Sequence, residues 1–168
     1  MEICVYNRSK EIGRSCVEVV SDCGKRIILD LGLPSRNGNG NLLPDIQGLD
    51  GSDESLLGVL ISHLHLNQFG VLGHISGTIP VIMGKNSGEL MVKAAPFSRG
   101  EWSVPSLSLN FNSEKSFELG PFRITPYLLD HSGFDTYSIQ IEADGKKLVY
   151  NGDFFVESQP NANLNELH

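Results

Sequence analysis

A short segment at residues 56–62, LLGVLIS, constrains the fold of this chain more than any other feature. The segment is mostly apolar, β-branched in its middle and shorter than most helices, so it predicts a β-strand that is buried on both faces. His63 and His65 follow it directly. A buried strand that ends in polar residues favours an α/β domain and places chemistry-bearing side chains at one edge of its sheet.

The segments before this strand predict a β-meander. EICVY, SCVEVVS and KRIILDLG are apolar or alternating runs that are separated by turn residues. Residues 34–54 are rich in Gly, Asn, Asp and Pro and carry no periodicity, so they predict a long surface loop.

The segments after the histidines alternate between helix and strand. We expect a short helix at residues 68–75, a second buried strand at 80–83 and an amphipathic helix at 87–95 that ends at Pro96. The pattern then returns to strands, at residues 104–109, 116–119, 122–129, 137–143 and 147–151. Asp144-Gly145 is a strong hairpin-turn signal between the last two strands.

The 168 residues are enough for one domain with a core, but not for two ordinary domains. We expect this domain at residues 1–155, followed by a polar tail at 156–168. No apolar run reaches the roughly 20 residues that a membrane helix needs, and the N-terminus lacks the apolar stretch of a signal peptide. The sequence therefore predicts a cytoplasmic protein without a membrane segment.

Charge and cysteine content narrow the function classes further. The formal net charge of −7, without a Lys/Arg cluster, argues against an independent nucleic-acid binder. The cysteines, Cys4, Cys16 and Cys23, are odd in number and have neither CxxC spacing nor a nearby His. We therefore expect free, buried thiols in a reducing compartment rather than metal ligands.

Three histidines and one acid stand at the ends of predicted strands. His63 and His65, at positions i and i+2 of a turn, can direct both imidazoles to one point. His131 follows the strand at 122–129, and Asp153 follows the strand at 147–151. Neutral imidazoles with one carboxylate are the ligands that a catalytic zinc site requires.

These residues resemble the motifs of the metallo-β-lactamase superfamily, which are a strand ending in HxHxDH, a later His and a later Asp. The chain has HLHLNQ at residues 63–68, then His131 and Asp153. LDHSGFDTYSIQIEADGKKLVYNGDF, at residues 129–154, is similar to the corresponding part of ribonuclease J and other β-CASP nucleases. EIGRSCVEVVSDCGKRIILDLGLP, at residues 11–34, resembles their first hairpin.

The resemblance, which extends from about residue 10 to residue 154, implies an α/β (α+β) fold. This fold is the N-terminal half of a metallo-β-lactamase-like sandwich, with a mixed, mostly antiparallel sheet and flanking helices. The resemblance also implies that His63, His65 and His131 bind the first zinc ion of a two-metal centre and that Asp153 bridges both ions. Asp30, at the end of a strand, would support the metal loops from behind the ligands, and Asp130 is a second such neighbour.

Two positions depart from the motif. Asn67 stands in place of the aspartate that binds the second zinc and orients the attacking water, and Gln68 stands in place of a histidine ligand. An uncharged amide is a poor zinc ligand and takes no proton from water. We therefore expect at most one zinc ion, or none, and little hydrolysis.

Three functional hypotheses follow from this pattern. The first is a metal-dependent phosphodiesterase of ribonuclease J-like lineage, with RNA or DNA as the ancestral substrate and with weak or no activity. The second is a catalytically silent binding or regulatory module of the same fold. The third is a small-molecule hydrolase of the superfamily, such as a thioesterase or lactonase, because the motif alone does not select the substrate.

The resemblance also predicts a partner. β-CASP nucleases continue past the Gly-Asp-Phe with a capping domain and the other half of the sandwich, whereas this chain ends fifteen residues after Asp153. A half-sandwich would expose an apolar patch of roughly several hundred Å², so we expect self-association or a partner chain that completes the sandwich. Gel filtration should show an assembly, and a strictly monomeric profile without binding of an apolar dye would contradict this prediction.

Overall fold

The structure, a computed structural model, describes residues 1–6, 15–33, 42–98, 107–129 and 134–152. Within these ranges the chain forms ten strands, two α-helices and two single turns of 3-10 helix. The strands are β1 (Glu2–Val5), β2 (Val17–Val20), β3 (Arg26–Leu29), β4 (Leu56–Leu60), β5 (Val81–Gly84), β6 (Leu107–Phe111), β7 (Phe117–Leu119), β8 (Phe122–Leu128), β9 (Tyr137–Ala143) and β10 (Lys146–Tyr150). The helices are α1 (Leu66–Phe69) and α2 (Lys85–Ala94), and the 3-10 turns are Leu72–His74 and Ala95–Phe97.

The described strands form two sheets. The first sheet has the order β1-β2-β3-β4-β5-β6, and the second has the order β10-β9-β8-β7. In the first sheet β1, β2 and β3 are antiparallel, as the predicted meander requires, and β3 to β6 are parallel. The second sheet is antiparallel throughout. The predicted α+β architecture is thus confirmed, with a mixed first sheet and mostly antiparallel pairing.

The first sheet is covered on both faces, as the buried strand predicts. In β4, Leu60 packs toward the second sheet, whereas Val59 and the following Ile61 pack toward the helices. Side chains alternate in direction along a strand, so each strand of this sheet contributes to two apolar layers. Val19, Ile27, Leu29, Ile82, Phe122, Ile124, Ile139 and Ile141 complete the layer between the sheets, and Ile28, Phe69, Leu72, Val81, Met83 and Met91 complete the layer under the helices.

The hairpin signal at Asp144-Gly145 is confirmed. The turn joins β9 to β10, and both residues have left-handed φ angles, 53° and 68°. This is the geometry of the type I′ turn that two-residue hairpins prefer.

The prediction of a single helix at residues 68–75 is wrong. The chain makes one turn of α-helix, which begins at Leu66, and then a separate 3-10 turn at Leu72–His74. The Val71 amide between them donates to the carbonyl of Leu31 rather than to a carbonyl within a helix. A main-chain contact with the segment after β3 therefore divides the helical pattern.

One further expectation is wrong, and three others fall on residues outside the described ranges. Cys16 is buried and Cys4 is half-buried, but Cys23 is exposed, because it lies in the turn between β2 and β3 rather than in a strand. β6 is described from Leu107 onward, and the predicted strand start at residue 104 falls in residues 99–106, which lie outside the described residues. The domain limit at 155 and the tail at 156–168 also lie outside them and stay predictions.

The loop predicted at residues 34–54 is described from residue 42 onward, and this part contains neither helix nor strand. Arg26 of β3 holds it to the sheet, because its guanidinium donates to the carbonyl of Gln47 and to the carboxylate of Asp53 at 3.0 Å. The same guanidinium pairs with Glu18 of β2 at 2.7 Å. In the part of the chain that the structure describes, no helix has the length and hydropathy to span a membrane.

Shortening one side chain in the layer between the sheets, and one on the surface, should show how much each contributes to stability. Ile139 of β9 is 0% exposed in this layer, whereas Val149 of neighbouring β10 is 54% exposed. We expect Ile139→Ala to lower the free energy of unfolding by about 2–5 kcal/mol because it leaves a cavity, and Val149→Ala by no more than about 1 kcal/mol. Urea unfolding followed by circular dichroism measures both values, and equal losses would contradict a core shared by the two sheets.

Candidate metal centre

The two histidines after β4 point toward each other. His63 Nε2 and His65 Nδ1 are 2.9 Å apart, and the imidazole planes are at 81° with ring centroids 4.5 Å apart. His63 is buried and His65 is exposed, so the pair extends from the protein interior to its surface. His65 has an extended backbone, and this conformation directs both side chains to the same side of the turn.

Ser62 and Asp30 fix the orientation of His63. The Ser62 hydroxyl donates to Asp30 Oδ2 at 2.8 Å and lies 3.0 Å from His63 Nδ1. Because the hydroxyl proton is used on the carboxylate, the hydroxyl oxygen accepts the proton of His63 Nδ1. His63 then carries its hydrogen on Nδ1, and its Nε2 presents a lone pair toward His65.

The carboxylate of Asp30 joins three strand ends. It accepts hydrogen bonds from the Ser62 amide and hydroxyl, both at 2.8 Å, and from the Tyr150 hydroxyl at 2.7 Å. Asp30 is 0% exposed, and its φ of 56° lies in the left-handed region. The ends of β3, β4 and β10 therefore meet at one buried acceptor, and the role of Asp30 in supporting metal ligands stays a prediction.

The histidine pair suits a zinc ion by the nature and spacing of its atoms. Two ligands of one tetrahedral zinc, each at 2.0–2.1 Å from the metal, lie about 3.3 Å apart. The two imidazole nitrogens, at 2.9 Å, need to separate by only a few tenths of an ångström. Across the described ranges, no group of three His, Cys, Asp or Glu side chains could hold a metal ion. Any further ligands of a metal at this pair would have to come from residues outside the described ranges.

The predicted ligands His131 and Asp153 lie outside the described residues, as does Asp130. Their described neighbours contact the histidine turn. The Tyr137 amide, at the start of β9, donates to the carbonyl of Ser62 at 3.0 Å. Gly152 has a φ of 67° and lies so near to Ser62 and His63 that a side chain there would collide with the Ser62 hydroxyl. Tyr137 and Gly152 thus both lie next to the histidine turn, and the positions of His131 and Asp153 stay predictions.

Asn67 and Gln68 lie in α1, next to the segment that follows β3. The Asn67 carbonyl accepts from the Ser15 amide at 2.9 Å, and the Gln68 carbonyl accepts from the Leu31 amide at 2.6 Å. Gly32 lies so near to the Asn67 backbone that any side chain at residue 32 would overlap it. Gln68 is 0% exposed, and its side-chain amide donates to the Ser15 hydroxyl at 3.4 Å. Their effect on a second metal site stays a prediction.

Sequence reasoning missed three residues around the histidines. Ser62 ends the predicted strand at residues 56–62 but had no assigned role, although its hydroxyl contacts both Asp30 and His63. Tyr150 supplies a donor to Asp30, which a buried carboxylate needs. Asp135 accepts a hydrogen bond from the Ser87 amide at 2.7 Å. No local pattern indicates the last two contacts, because their partners are distant in the sequence.

Comparison with known proteins agrees with this architecture. No known family profile matches the chain. A curated relative, "Probable RNase MJ4" of Methanocaldococcus jannaschii, is 29% identical over 91% of the chain. The chain spans only 39% of that relative.

Two solved structures are similar to the chain at 18% identity. The metallo-β-lactamase fold protein YhfI of Bacillus subtilis has a TM-score of 0.61 and matches 89% of this chain and 61% of its own. A metallo-β-lactamase with a HARLDQ motif from Cronobacter sakazakii has a TM-score of 0.56 and matches 83% and 59%. The chain therefore has a metallo-β-lactamase-like fold and spans about three fifths of each of these structures.

Removal of the charge on Asp30 should test the network behind His63. Asp30→Asn replaces one acceptor oxygen by a donor that faces other donors, so we expect it to lower the free energy of unfolding by about 2–3 kcal/mol. Asp50→Asn is a matched control, because Asp50 also accepts from the amide and hydroxyl of one serine, Ser52, but at an exposed position. Urea unfolding of both variants measures the difference. Equal stability of Asp30→Asn and the unaltered protein would contradict the network.

Proposed function

We propose that this chain is a metallo-β-lactamase-fold protein of ribonuclease J-like descent that binds one zinc ion and hydrolyses phosphodiesters weakly or not at all. In this proposal His63, His65, His131 and Asp153 hold the ion. The observation that carries it is the convergence of His63 Nε2 and His65 Nδ1, with His63 held in the tautomer that leaves Nε2 free of a proton.

The chemistry of the centre follows from its side chains. A bound zinc ion would supply a Lewis acid and lower the pKa of a water molecule. Asp30 and Ser62 keep His63 in one orientation through the hydrogen on Nδ1. Neither Asn67 nor Gln68 can take a proton from water, and neither adds negative charge for a second ion. The proposal therefore includes one metal ion and a strongly reduced hydrolytic rate.

The two similar proteins with named motifs or activities support parts of this proposal. The relative from M. jannaschii is named a probable RNase, which favours RNA, a phosphodiester substrate, over a small molecule. In the HARLDQ motif of the C. sakazakii protein, a glutamine stands at the sixth position, which is the position of Gln68 in HLHLNQ. That protein is named a metallo-β-lactamase, so a glutamine at this position is compatible with the fold.

A catalytically silent binding module is the second candidate. Asn67 and Gln68 favour it, because their carbonyls hold α1 to the segment after β3 while their side chains lack catalytic groups. The acidic net charge of −7 also fits a protein partner better than a polyanion. Self-association through the sandwich and a cytoplasmic location remain predictions under either candidate.

Zinc stoichiometry tests the proposed centre directly. Metal analysis after dialysis and competition with a chromophoric chelator should give one zinc ion per chain, and His63→Ala should abolish tight binding. His74→Ala is the matched control, because His74 is exposed and lies outside the motif. The absence of zinc from the unaltered chain, or zinc retained by His63→Ala, would overturn the proposal.

Restoration of the motif separates the two candidates. We expect the double variant Asn67→Asp, Gln68→His to cleave single-stranded RNA or DNA oligonucleotides with zinc or manganese at least tenfold faster than the unaltered chain, because a second metal site and an acidic group are regained. Cleavage that depends on His63 would support a nuclease that lost its activity. A zinc-loaded double variant that stays silent would favour the binding module.

A further inference from the structure

We infer that Asp135 is a positioning residue for the histidine pair, because it fixes the start of β9 to the N-terminus of α2 and thereby holds the strand end that carries His63. The inference rests on the proposed function only in taking zinc affinity as its readout. Its structural part depends on contacts among described residues.

The start of β9 contacts the histidine turn through the main chain. The Tyr137 amide donates to the carbonyl of Ser62, the residue that precedes His63 and orients its imidazole. One residue earlier, the carbonyl of Thr136 accepts from the Leu129 amide at 2.8 Å. This second bond closes the connection between β8 and β9, in which His131 is the predicted third ligand. Any shift of residues 135–137 would therefore be transmitted to Ser62.

Asp135 ties these residues to a helix in a different part of the fold. Its Oδ2 accepts from the Ser87 amide at 2.7 Å, and the Asn86 side-chain amide lies 3.5 Å from its Oδ1. Ser87 is in the first turn of α2, where amide groups lack partners within the helix. The carboxylate also carries the charge that the positive end of a helix dipole favours.

α2 is built to receive this carboxylate. Its N-cap residue is Gly84, which has no capping side chain, and its first turn contains no acidic residue. A side chain at residue 84 would overlap the carboxylate of Asp135 and the ring of Tyr137. The helix therefore lacks a local cap and leaves space for one that comes from 48 residues farther along the chain.

The backbone of Asp135 has a left-handed conformation, which Asp and Asn tolerate better than other residues with a side chain. Its φ is 57°, in the left-handed region that a residue with a side chain seldom occupies. Such a conformation persists when surrounding contacts determine it, and it is frequent where a functional geometry is held. The phenol of the nearby Tyr137 is a neutral donor next to the Asp135 carboxylate. Burial and this carboxylate raise the pKa of the phenol to about 12.

Three substitutions separate capping from backbone strain. Asp135→Gly removes the carboxylate but tolerates the left-handed conformation, whereas Asp135→Asn keeps both an acceptor oxygen and that tolerance. Asp50→Gly is the matched control, because it removes a carboxylate that accepts from a backbone amide in a different, exposed loop.

Two readouts should be measured on each full-length variant. The first is zinc affinity by chelator competition. The second is the hydrogen-exchange rate of the Tyr137 and Leu129 amides in metal-free protein, compared with the amides of the β9–β10 hairpin. We expect Asp135→Gly to bind zinc about 10–100-fold more weakly. We also expect the amide hydrogens of Tyr137 and Leu129 to exchange at least tenfold faster in this variant. Asp135→Asn should stay within about threefold of the unaltered protein in both, and Asp50→Gly should change neither.

The zinc-binding and hydrogen-exchange results either support or reject the role of Asp135. Zinc binding by Asp135→Gly that equals that of the unaltered protein would overturn the inference, as would faster exchange that is uniform over the whole chain. If the unaltered protein binds no zinc, the proposed function fails, and the exchange rates alone then decide. Faster exchange confined to Tyr137 and Leu129 would support the role of Asp135, and unchanged exchange would reject it.

Discussion

The orientation of the histidine pair depends on the hydrogen bonds that the buried carboxylate of Asp30 accepts. Burial of a charge is costly unless hydrogen bonds compensate for it, and Asp30 receives such bonds from Ser62 and Tyr150. These donors come from the ends of β4 and β10, so the compensation is complete only when both sheets are in place. The orientation of His63 therefore depends on contacts from both sheets.

The strand order explains why Asp30, Ser62 and His63 lie together at one edge of the first sheet. The parallel strands β3 and β4 end side by side, which brings Asp30 next to Ser62 and His63. In open α/β sheets, functional residues commonly lie at the carboxyl ends of parallel strands. The second sheet contributes its own strand ends through Tyr137 and Tyr150. The histidine pair thus lies where strands of both sheets end, and both sheets contribute to its hydrogen bonds.

The local sequence pattern was sufficient to predict many of the strands and turns. It did not predict contacts between residues that are distant in the sequence. The meander, the buried β4 and the Asp144-Gly145 turn could be predicted, because apolar runs and turn residues are read within a few positions. The break near Val71 could not, since it depends on a carbonyl forty residues earlier. The histidine pair was predicted for the same local reason. Tyr150 and Asp135 were missed, because each partner lies far away in the sequence.

The attachment of α1 has a consequence for how such a protein can evolve. Ser15 and Leu31 hold α1 through the carbonyls of Asn67 and Gln68, and Gly32 packs on the Asn67 main chain, whichever side chain residue 67 carries. A substitution of the side chain at residue 67 therefore leaves these main-chain contacts available. A lineage could exchange the side chain at residue 67 while the same main-chain contacts keep α1 next to the segment after β3.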